Sequence, residues 1–158
     1  KNGVKVVACR GSVTDYRTDL QGVTPRGWPP GSTWDIVPGA YTPDRKEVVV
    51  ATIGHGTAAG AHVPVTGEGH GSANLVIHET AHAVDAFVGS RYNSSSTAFL
   101  RARTGDYANL PDYEKQAGVA GRQETYAESA ARFYGGAADA TKYPNLTGYW
   151  LTNPLGGK

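Results

Sequence analysis

His78 and His82 stand four residues apart in the stretch His78-Glu79-Thr80-Ala81-His82. On an α-helix, with about 3.6 residues per turn, that spacing projects both imidazoles from one face. Two nitrogens so placed can meet one tetrahedral zinc ion at about 2.0–2.1 Å each. Glu79 projects from the adjacent face, where it can hold a water and take its proton. A catalytic zinc asks for a third protein ligand and keeps one position open. In Glu124-Thr125-Tyr126-Ala127-Glu128 two carboxylates recur at helical spacing on one face. We assign Glu124 as the third ligand, on a later helix that returns across the site. Glu128 then lies one turn on, placed to orient a ligand histidine.

The other common way of completing such a site is closed to this chain. Metzincins turn the chain at a glycine soon after the second histidine and take a ligand just beyond it. Here Asp85 stands at the glycine position and Val88 at the ligand position, and the sequence contains no methionine for the turn below the metal. Asp85 follows His82 by one helical turn and has two readings, a hydrogen bond to a ligand histidine or a surface carboxylate.

The elements that must carry these residues are legible in outline. Residues 4–9 read as a short buried strand and 47–53 as the clearest strand of the chain. The latter lies immediately upstream of the metal helix and is the expected edge along which a substrate would lie. Residues 12–43, rich in Pro, Gly and Asp, read as an irregular excursion packed through Trp28, Trp34 and Tyr41, with a short strand at 33–37. Ser72 is the expected N-cap of a helix over 73–88, closed by Gly89. Further helices are expected over 96–103, over 122–134 before Gly135-Gly136, and near Thr141.

Bulk properties set the class. The 158 residues suit one domain, expected over 1–158. With 39% hydrophobic and 18% charged residues the chain is globular rather than disordered. A net charge of +1 points to neither nucleic acid nor an anionic membrane as partner. The lone Cys9 sits in an apolar run and reads as a small buried hydrophobe. His55, His62 and His70 lie in the glycine-rich loop before the metal helix, at no ligand spacing, and read as exposed or lining the cleft.

The run His78-Glu79-Thr80-Ala81-His82-Ala83-Val84-Asp85, followed by Glu124-Thr125-Tyr126-Ala127-Glu128, resembles the anthrax lethal factor-type metallopeptidases, gluzincins that include Pro-Pro endopeptidases. Phe133 stands near the last aromatic of that pattern, one place late for the usual spacing, and the stretch Thr33-Trp34-Asp35-Ile36-Val37-Pro38-Gly39 also resembles such domains. The resemblance implies an α+β, zincin-like fold: a small mixed sheet whose edge strand lies over an active-site helix, with a second zinc-ligand helix. It implies one Zn2+ held by His78, His82 and Glu124, Glu79 as general base, and a tyrosine that stabilises the oxyanion. Tyr113 is the candidate and Tyr107 its competitor; the long interval from Tyr113 to Glu124 reads as an insertion at 118–121. The expected function is that of a secreted, monomeric metalloendopeptidase acting on an extended peptide or protein substrate, a bacterial protease or the catalytic part of a toxin. Neither nucleic acid nor membrane is an expected partner. The alternatives are a gluzincin aminopeptidase and a non-catalytic binding domain of a larger toxin.

Overall fold

The computed structural model describes residues 3–25, 30–52, 63–67, 71–87 and 91–154. His55, His62, His70, Trp28 and Gly89 lie outside them. Three strands form the sheet: β1 (Lys5–Cys9), β2 (Gly39–Thr42) and β3 (Glu47–Ala51). Their order is β1-β3-β2, with β1 parallel and β2 antiparallel to β3. The fold is α+β with a small mixed sheet. Every residue of β3 is buried, as a strand covered on both faces must be, which explains its unbroken apolar run. On one face Val48 and Val50 pack with Leu75 and Ala83; on the other, Val49 and Ala51 pack with Val13 and Ala40.

That order corrects the expected edge. β3 is the central strand and both its sides are taken, so no substrate can pair with it. The strand flanking it on the cleft side is β2, which carries no strand on its outer side among the described residues. Residues 33–37 are likewise not a strand. Trp34–Ile36 is a 3-10 turn, held by Asp35, whose carboxylate accepts from Thr14 Oγ1 at 2.8 Å and from the Gly22 N–H at 2.9 Å. The excursion also contains a short helix, α1 (Val13–Tyr16), opened by a capping box between Ser12 and Asp15. Arg17, 2% exposed, follows it and donates to Thr42 Oγ1 at 2.7 Å, tying α1 to the end of β2.

The metal helix, α2, runs Leu75–Phe87. Its cap is Asn74 rather than Ser72: the Asn74 side chain accepts from the Ile77 N–H at 3.1 Å. Helix α3 (Thr97–Asp106) starts at Ser96 as expected and runs a turn further. Helix α4 spans Gly118–Tyr134, so 118–121 is its first turn and not an inserted loop. Gly121 is tolerated there because the chain doubles back on the helix; a Cβ would overlap the Gln116 carbonyl. Helix α5 (Pro144–Thr152) closes the fold, with Asp106 accepting from the Leu146 N–H at 2.8 Å. Phe99, Tyr126, Leu146, Tyr149 and Trp150 form the core among α3, α4 and α5. Helix α4 also packs along α2, and that contact brings the two ligand-bearing elements together.

Candidate metal centre

Helix α2 presents His78 and His82 to α4, and α4 answers with Glu124. The His78 and His82 Nε2 atoms lie 3.1 Å apart. Glu124 Oε2 lies 3.4 Å from the first and 3.5 Å from the second. A tetrahedral ion with ligands at about 2.0–2.1 Å has ligand–ligand edges of about 3.3 Å, which these three separations bracket. The Glu124 Oε2 atom is buried and accepts no hydrogen bond of ordinary geometry among the described residues. Two imidazole nitrogens and an unsatisfied carboxylate oxygen facing one point are a donor set for a borderline cation such as zinc. Among the described residues, His78, His82 and Glu124 are the group that could hold a metal ion.

The charges agree with that reading. Burial alone would push His78 down, but Glu124 and Glu128 hold it well above its ordinary value. Burial opposes ionisation of Glu124 too, yet His78 and His82 hold it well below the usual carboxylate range. The carboxylates draw positive charge onto the histidines, and a dication held by these three residues would supply that charge in place of protons. Glu128 Oε1 lies 2.9 Å from His78 Nδ1. A carboxylate on that side of the ring favours a proton on Nδ1, the tautomer that leaves the Nε2 lone pair free for a metal.

Glu79, 7% exposed, sits beside the triad without belonging to it. Burial pushes its carboxyl up, with His78 and His82 opposing. Its room is made by β2. A Cβ on Gly39 would lie 2.7 Å from Glu79 Oε1 and 2.8 Å from its Cγ. The sequence hides this role of Gly39, because a glycine within the Pro- and Gly-rich excursion reads as a breaker.

Two cavities flank this contact. One, of about 440 Å³, is lined by Ile36, Pro38, Leu75, Glu79, Tyr113 and Arg132. The other, of about 420 Å³, is lined by Pro25, Trp34, Tyr41, Tyr92, Tyr113 and Glu124 among others. Tyr113 lines both, and burial together with the Glu124 carboxylate pushes its hydroxyl above its ordinary value. Tyr107 lines neither; its hydroxyl donates to the Lys115 carbonyl at 3.3 Å in an exposed setting. Asp85 is 1% exposed and its Oδ1 accepts from the Ser94 N–H at 2.6 Å. It organises the chain after α2, and neither reading of it, a histidine partner or a surface charge, describes it.

Comparison with known proteins places this geometry. Residues 1–142 match the family described as anthrax toxin lethal factor, N- and C-terminal domain. A Pro-Pro endopeptidase of Paenibacillus alvei is 32% identical over 149 residues, which cover 92% of this chain and 58% of the relative. A Pro-Pro endopeptidase of Clostridioides difficile is 37% identical over 91 residues, covering 56% of this chain and 36% of the relative. The chain thus spans less than two thirds of the length of either. The solved structure of the Paenibacillus alvei Pro-Pro endopeptidase superposes with a TM-score of 0.66 at 29% identity, covering 96% of this chain and 78% of that one.

Proposed function

Since the chain belongs to the family of the anthrax toxin lethal factor N- and C-terminal domain, we propose that it is a zinc metalloendopeptidase acting on an extended segment of a protein substrate. The observation that carries the reading is the triangle of His78 Nε2, His82 Nε2 and Glu124 Oε2, with edges of 3.1, 3.4 and 3.5 Å, beside the buried carboxylate of Glu79.

Zinc, when bound, supplies Lewis acidity to the scissile carbonyl and lowers the pKa of water. The remaining work falls to the chain. His78, His82 and Glu124 hold the ion, and Glu128 keeps His78 in the right tautomer. The Glu79 carboxylate accepts a proton from the attacking water and delivers it to the leaving nitrogen. The Tyr113 hydroxyl donates to the oxyanion that develops as the carbonyl is attacked. The outer side of β2 offers backbone N–H and C=O groups to an extended substrate.

Cleavage between prolines is the favoured specificity. Two relatives bear that name, and one side of the cleft is lined by Trp34, Tyr41 and Tyr92, the kind of surface on which pyrrolidine rings pack. Cleavage-site mapping on a library of peptides with blocked N-termini tests both points. The expected result is cutting within Pro-Pro sequences that stops with a chelator and returns with zinc. Cutting that needs a free N-terminus would indicate an aminopeptidase, and no cutting by zinc-loaded protein would indicate a binding domain. Secretion and a monomeric state belong to the same proposal and rest on the family alone; culture-supernatant assay and size-exclusion chromatography test them.

Glu128→Gln is expected to weaken zinc binding by about 10–100-fold, because an amide holds the His78 N–H less strongly than a carboxylate. Competition against a chromophoric chelator measures it. Unchanged affinity would remove Glu128 from the support of the site.

A further inference from the structure

We propose that Glu114 is a positioning residue for Tyr113, through which helix α4 sets the tyrosine hydroxyl as well as the Glu124 ligand. The proposal rests on the peptidase reading above. Tyr113 itself lies in a surface turn and is 45% exposed as a whole. Nothing in an exposed turn would by itself hold a hydroxyl to the fraction of an ångström that oxyanion stabilisation needs.

The next residue supplies what is missing. Glu114 is 1% exposed, in contrast to Pro111, Asp112 and Tyr113 before it. Its carboxylate receives both guanidinium arms of Arg132, at 2.7 and 2.9 Å. Its carbonyl accepts from Arg103 Nη2 at 2.7 Å, and the Thr125 hydroxyl, whose one proton is shared with the Gly121 carbonyl at 2.6 Å, lies 3.1 Å from it. Its N–H donates to the Pro111 carbonyl at 3.0 Å. Side chain, carbonyl and amide are all fixed, and Tyr113 is one peptide bond away.

Two of those four anchors, Arg132 and Thr125, lie on α4. Gly121 lets the Gln116 carbonyl approach, Thr125 sets its hydroxyl against the Glu114 carbonyl, and Arg132 holds the Glu114 carboxylate. The same helix directs Glu124 and Glu128 at the histidines. The Arg132 guanidinium also lies 4.5 Å from the ring of buried Tyr143, which restricts its swing. A buried ion pair is seldom the most stable filling for its space, since an apolar pair of like volume often does as well. What a bidentate carboxylate–guanidinium pair adds is direction. Its position next to Tyr113 is where direction is useful.

The test is a double-mutant cycle of Glu114→Gln with Tyr113→Phe, read as kcat and KM on zinc-loaded protein. Glu114→Gln is expected to lower kcat by about 10- to 100-fold, as a misplacement near 1 Å does, with KM within about threefold. In the Tyr113→Phe background it should cost less than about threefold, because there is no hydroxyl left to misplace. Equal losses in both backgrounds would overturn the proposal, since they mark general loss of structure. Thr125→Val, which removes one anchor of the Glu114 carbonyl, serves as the second variant and should behave alike if Glu114→Gln does not fold. A readout independent of catalysis is the 19F signal of 3-fluorotyrosine at position 113. Zinc should shift one narrow line in the parent and leave a broad, unresponsive one in Glu114→Gln. Identical spectra in the two would also overturn the proposal. Failure of the parent to cleave any peptide would sink the peptidase reading instead, and the 19F comparison would then decide this one alone.

Discussion

Glu79→Gln is expected to lose about 10²- to 10⁴-fold in kcat while retaining its zinc. Glutamine matches the shape of glutamate, so the packing against Gly39 survives. The triad of metal donors is untouched, because Glu79 is not part of it. What disappears is the buried carboxylate that lines both cavities beside the ligand set. Elemental analysis establishes the zinc content and a cleaved reporter peptide the rate. Substantial cleavage by a fully zinc-loaded variant would sink the assignment of Glu79 as the base.

Gly39→Ala is expected to be almost as damaging from a position that supplies no metal ligand. The added Cβ would lie 2.7 Å from Glu79 Oε1 and 2.8 Å from Cγ. Real carbon atoms do not sit so close, so either Glu79 leaves its place or β2 moves outward. Displacing the base near 1 Å costs about 100-fold, and overpacking a filled site costs about 1–3 kcal/mol of stability. Zinc content should be unchanged. Ala40→Gly, one residue along β2, should lower stability without the same loss of kcat. Parent-like turnover in Gly39→Ala would mean that the strand and the carboxylate are not in contact in solution.

The parts of the site that are legible in sequence are those fixed by local geometry. His78 with His82, and Glu124 with Glu128, announce themselves because one helical turn converts a spacing of four into a shared face. The buried strand Glu47–Ala51 is legible because Val48, Val49, Val50 and Ala51 form an apolar run rich in β-branched residues. The features that are not legible depend on contacts distant in the chain. The place of β3 in the middle of the sheet follows from pairing with β1 on one side and β2 on the other, which no local pattern records. Gly39 and Gly121 read as breakers, yet each marks a close approach by another group. Asn74 outcompetes Ser72 as the cap by two residues, within the ordinary error of reading a helix end. Asp85 looks like a partner for a histidine until the chain at Ser94 is seen to return to it.

Strand β2 is only four residues long, about 13 Å of extended chain. A template of that length can align three or four residues of another polypeptide and no more. With a target laid along it, a peptidase of the kind proposed would read a brief word of side chains rather than a folded surface. The word must also be offered in extended form, since a helix or a paired strand cannot lie down in the cleft. Choice of target would then be settled twice, first by whether a linker, tail or loop hangs free, and only afterwards by its spelling.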